Sequence, residues 1–143
     1  MTHDGKDVSP EEHGDILLKS YVLSFGMGVD KIFYTSFKAP PFARAEFQQS
    51  ALIDSKGEKR PAYHALETLI IKMGTFMSAE EFTTGQYQFL VEGKEVYVLW
   101  GSGSIPDELT GEVLVTDIYG KEIKSTALSI ILKESPIFVE KVD

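Results

Sequence analysis

The chain has 143 residues, 43% of them apolar and 25% charged, with a net charge of −8 and no cysteine. That balance belongs to a globular chain of one domain or two small ones rather than a disordered tract, and the excess of carboxylate argues against nucleic acid and anionic membranes as partners. Without cysteine there are no disulfides, no thiolate metal site and no cysteine nucleophile, and no window approaches the ~18 uninterrupted apolar residues of a membrane helix.

Met1 to Pro10 is polar and lacks an apolar signal-peptide core, so the expected location is cytoplasmic. The first structural signal is Ser9-Pro10-Glu11-Glu12: a serine to cap a helix, a proline suited to its first position and a glutamate placed to complete a capping box. The helix should run to about Phe25, with Gly26 and Gly28 as terminators. Ile16, Leu17, Leu18, Tyr21, Val22, Leu23 and Phe25 cover more than one stripe, which predicts burial on more than one side. Val29 to Phe37 then reads as a buried strand, rich in β-branched and aromatic residues. Pro40 and Pro41 make the segment that follows a long loop.

Ala51 to Ile53 reads as a short extended piece and Asp54 to Gly57 as a type I turn. From Pro61 the residues Ala62, Ala65, Leu66, Leu69, Ile70 and Met73 recur at helical spacing up to Gly74. The period then becomes alternating. Tyr87, Phe89 and Val91, a turn at Glu92 to Glu95, and Val96 to Trp100 predict a hairpin; Val113 to Tyr119, Thr126 to Leu132 and Ile137 to Val142 predict further strands. The expected fold is α+β, a helix–strand–helix piece over residues 1–78 followed by a small antiparallel β-sandwich or open barrel over residues 79–143. The acid is concentrated in the second part, which holds 12 acidic and 5 basic side chains against 10 and 9 in the first.

Chemistry-bearing motifs are sparse. His3 and His13 stand among Asp4, Asp7, Glu11, Glu12 and Asp15 without metal-binding spacing, and a solvated N-terminus with acids at a helix start accounts for them. His64 falls on the outer face of its helix. No dinucleotide fingerprint, phosphate loop or nucleophile elbow occurs, so neither a cofactor, a metal site nor a catalytic residue is expected. Tyr34, Phe37, Phe42 and Phe47 are the candidates for carbohydrate contact, because aromatic faces at a strand end and in the next loop stack on sugar rings; packing within the loop is the competing reading. Trp100 carries the same ambiguity.

Taken in order, SPEEHGDILLKSYVLSFGMGVDKIFY, LIDSKGEKRPAYHALETL, GQYQFLVEGKEVYVLWG, VLVTDIYGKE and ESPIFVE resemble the C-terminal end of (β/α)8-barrel glycoside hydrolases of the xylosidase- and iduronidase-like retaining kind. The resemblance makes Val29 to Phe37 similar to the eighth barrel strand, Pro61 to Met73 to the eighth helix, and the residues from about 79 to the appended β-domain. It implies that the two catalytic glutamates, which flank the scissile bond in such enzymes, have no counterpart here. The expectation is therefore a glycosidase-derived accessory segment that is not catalytic by itself. Its open strand would be covered by a homo-oligomer or a companion chain, because an unpaired barrel strand exposes two edges. A stand-alone protein-interaction module with an acidic β-domain and one chain of a split glycosidase are the alternatives.

Overall fold

A computed structural model describes residues 2–3 and 6–142. The elements are β1 (Thr2–His3), β2 (Lys6–Asp7), α1 (Pro10–Gly26), α2 (Ala45–Ser50), α3 (Pro61–Met73), β3 (Phe76–Thr83), β4 (Gln86–Val91), β5 (Lys94–Leu99), β6 (Glu112–Asp117), β7 (Glu122–Thr126) and β8 (Ile137–Lys141). The architecture is α+β, with helices in the N-terminal half followed by one antiparallel sheet of six strands in the order β3-β4-β5-β8-β6-β7. The sheet is open and does not close into a barrel.

α1 begins as its sequence dictates. The Glu12 N–H donates to Ser9 Oγ at 3.1 Å and the Ser9 N–H donates to Glu12 Oε2 at 2.9 Å, so two otherwise unpaired donors of the first turn are satisfied reciprocally. At the other end Gly28 adopts φ +91°, a left-handed conformation that lets the chain leave the helix without a side-chain clash. α3 starts with Pro61 at a position where a missing N–H costs nothing.

Alternation along the strands divides the core in two. On one face Tyr87, Phe89, Val96, Val98 and Phe138 meet Leu18, Tyr21, Val22 and Phe25 of α1 and Ala65, Leu69 and Met73 of α3. On the other, Tyr97, Leu99, Val113, Val115 and Val139 pack beneath Leu109, Ala127 and Leu132. The first cluster draws on both halves of the chain, and the expected boundary at residue 79 falls inside β3. α1 approaches the sheet closely at Gly26, where a Cβ would stand 2.7 Å from Tyr87 Cε1.

Four expectations are corrected. Val29 to Phe37 is not a buried strand: Val29 is 41% exposed, Phe33 84% and Phe37 55%, and among the described residues no neighbouring strand supplies a ladder. The strand expected over 126–132 lies at Glu122–Thr126 instead and is followed by a 3-10 turn over Ala127–Ser129. Its early start follows from the tight turn before it, in which Asp117 Oδ1 accepts from the N–H groups of Tyr119 and Lys121, both at 2.9 Å. β3 has no counterpart among the expected strands: register shifts between Phe76 and Ser78 and between Glu81 and Thr83 break its alternation. Finally, the loop after Pro41 contains the short helix α2.

Candidate functional site

The candidate aromatics belong to the stretch that joins α1 to α3. After Gly28 the chain runs extended, and among the described residues the backbone from Asp30 to Thr35 makes no backbone–backbone hydrogen bond. Pairing begins only at its end. There Ile53 N–H donates to Phe37 O at 2.9 Å and Ala39 N–H to Ile53 O at 3.0 Å, a single parallel bridge between Lys38 and Ile53. Pro40 and Pro41 then turn the chain into α2. The Asp54 to Gly57 turn forms as its residues predict, with Gly57 N–H donating to Asp54 O at 3.1 Å and Asp54 Oδ1 accepting from Lys56 and Glu58. Those bonds hold the exposed Asp54 carboxyl below its ordinary value.

Extended backbone sends successive side chains to opposite sides. Ile32 and Tyr34 turn toward the helices and pack on their core, while Phe33 and Phe37 turn outward. Tyr34 is therefore directed inward. Its hydroxyl donates to Ser50 O and lies 3.3 Å from His13 Nε2. With the hydroxyl proton on Ser50, the Tyr34 oxygen accepts from His13 Nε2–H, which leaves Nδ1 as a buried acceptor with no hydrogen-bond partner among the described residues. Arg60 stands close by and donates from Nη1 to Gln48 O at 2.5 Å. Burial, and then the Arg60 charge, hold His13 below its ordinary value, so the neutral ring is the favoured form. Burial raises the Tyr34 hydroxyl, with the neighbouring Tyr21 adding to the rise and Arg60 opposing it.

The other candidates have different surroundings. Phe37 packs near Tyr63 with ring centroids 6.3 Å apart, and Lys59 Nζ stands 4.3 Å above the Tyr63 ring. Leu52, Leu66, Ile70 and Ile71 complete an apolar groove beside Phe37. Phe42 is 98% exposed and Phe47 60% exposed. Among the described residues no ring contact joins any two of the four, so they do not assemble into a single aromatic cleft.

Trp100 is buried and stacks on Tyr87 at 5.4 Å, which makes it core. His64 is half-exposed, with Nδ1 3.6 Å from Glu67 Oε2. Of the acidic group around the first two histidines, Asp4 and the His3 side chain lie outside the described residues. Among the described residues no three histidine or carboxylate side chains come together as metal ligands. His13 is a correction: it is buried, not part of a solvated N-terminus. Its spacing from Leu17 and Tyr21, four and eight residues on, places it on their buried face and was the available signal.

What the arrangement offers is an unpaired extended segment with apolar side chains on its open side, braced from behind by a hydrogen-bonded polar cluster. No protein-family model matches the chain, and no curated protein matches it.

Proposed function

We propose that this chain is a glycosidase-derived accessory segment, without hydrolytic activity by itself, that makes carbohydrate contact through Phe37, Phe42 and Phe47, with Tyr34 bracing the segment that carries them. One observation carries the reading. The segment from Asp30 to Thr35 has helices behind it, the exposed Phe33 in front of it and, among the described residues, no backbone–backbone hydrogen bond, which is how one strand of a parallel barrel stands when its neighbours are elsewhere. The resemblance in sequence supports the same reading, and it leaves both catalytic glutamates outside this chain. A further barrel strand, from a companion chain or a second copy, would pair with the segment and cover Phe33.

Sugar contact on this proposal is stacking of pyranose faces on exposed rings, with no charged group required. The test has two arms. Purified chain is assayed for turnover of a panel of aryl glycosides, where none is expected, and titrated with oligosaccharides while intrinsic tyrosine fluorescence is followed. Saturable quenching that is lost in Phe37→Ala supports the proposal. Turnover that survives repurification overturns its accessory character, and silence across a broad glycan panel overturns its carbohydrate contact and favours the acidic interaction module.

A further inference from the structure

The two edges of the sheet are built differently. β3, at one end, carries two register shifts and the adjacent acids Glu80 and Glu81, which are devices that discourage pairing. β7, at the other end, has no register shift and no adjacent like charges; its two charged residues, Glu122 and Lys124, are of opposite sign. Its five residues keep unbroken register with β6, and it contains no proline. The Asp117 N–H donates to Lys121 O at 3.0 Å and the Ala127 N–H to Gly111 O at 2.9 Å, so the odd-numbered residues of β7 face β6. The N–H and C=O groups of Glu122, Lys124 and Thr126 consequently point to the open side. Beside them Ile123, 55% exposed, and Ile131, 81% exposed, line an apolar groove with Val115, Ile130 and Ile137. No β7 residue belongs to the cluster that joins the helices to the sheet.

We propose that β7 pairs with β7 of a second copy of this chain, antiparallel and in register centred on Ile123, to give a continuous sheet across a twofold axis. Charge selects both occupant and register. Outward-facing backbone allows the strand to centre on residue 122, 123 or 124. Centring on 122 sets Glu122 against itself and centring on 124 sets Lys124 against itself. Centring on 123 sets each Glu122 opposite Lys124 of the other copy, twice over by symmetry. Among the described residues Lys124 has no ion-pair partner within its own chain, whereas Glu122 sits 2.8 Å from Lys72 Nζ and would join Lys124 of the second copy to that pair. Ile123 meets its own equivalent on the face that bears the exposed isoleucines. The pairing goes beyond the glycosidase reading and shares no residue with it.

The chain has no cysteine, so a single introduced thiol reports the register. Residues on the twofold form a non-hydrogen-bonded pair with Cα atoms about 4.5 Å apart, within disulfide reach. Oxidised Ile123→Cys is therefore expected to run as a covalent dimer, and Ser125→Cys, about four residues of strand from its equivalent, as a monomer. Light scattering should show dimer forming with concentration. Lys124→Glu should weaken it about tenfold or more, and Glu122→Lys combined with Lys124→Glu should restore it. A monomer at every concentration, equal cross-linking at 123 and 125, or a dimer indifferent to Lys124→Glu would overturn the proposal.

Discussion

Strand β5 and the segment from Asp30 to Phe37 are built from similar residues and end in different states. Val96, Tyr97, Val98 and Leu99 are buried on both faces, with β4 on one edge and β8 on the other. Ile32, Phe33 and Tyr34 lie on backbone whose side chains also alternate in burial, yet one face is open and, among the described residues, no backbone–backbone hydrogen bond forms from Asp30 to Thr35. Side-chain preference sets local extension in both places. A strand, however, also requires a neighbour to take its backbone groups, and only one of the two has it.

That contrast can be measured directly. The largest effect is expected in amide exchange. Tyr97 and Val98 should exchange only through global unfolding, at a cost of ~5–15 kcal/mol, while the Phe33 and Thr35 amides should exchange nearly as fast as in a free peptide. Comparable protection in the two regions would mean that the segment is paired in solution. Next in size is Phe138→Ala, which removes a fully buried ring between sheet and helices and should cost ~3–5 kcal/mol in denaturant unfolding. Gly26→Ala follows, at ~1–3 kcal/mol, because its new methyl must displace the buried Tyr87 ring.

Acid should act on the segment's anchor. Since His13 is held below its ordinary value of 6.5, the unfolded chain binds more protons than the folded one around and below that pH. Stability therefore falls as pH drops below about 6.5, with a slope of at most ~1.4 kcal/mol per pH unit for this one group. Asp54 and Glu95, whose carboxyls are held low, lose their contributions only at more acid pH, below about 4, so the His13 window is separate. Unfolding of wild type and His13→Gln at pH 7.5 and 5 checks this: the wild type should lose stability between the two and the variant should lose less. The smallest effect is expected from Phe33→Ser, within ~0.5 kcal/mol, since the ring is exposed in the isolated chain. A large loss there would show that something covers it.

The parts legible in the sequence were those that local chemistry decides. The capping box at Ser9 and Glu12, the left-handed exit at Gly28, the Asp54 turn and the apolar stripe of α3 each depend on residues within a turn or two of one another. Of the candidate site, the aromatics could be named but not aimed. Which of Tyr34 and Phe37 faces inward depends on the phase of the extended backbone, and the Tyr34–His13 contact joins residues 21 apart in sequence. Nothing in residues 30–37 could reveal that most of them join no ladder among the described residues, because such residues read the same with or without a neighbouring strand.

By itself, then, the sequence determined α1 with its cap and α3, the α+β order and most of the strand-forming runs, because hydrophobic period and capping are local properties. Tertiary structure alone decided the rest. It ran the sheet as β3-β4-β5-β8-β6-β7, placed β8 between β5 and β6, and sorted the apolar residues onto two faces. It also buried His13 and left Phe33 uncovered. The reason is that pairing and burial are relations between segments distant in the chain, so their outcome depends on which partners are present and not on the residues of either segment alone.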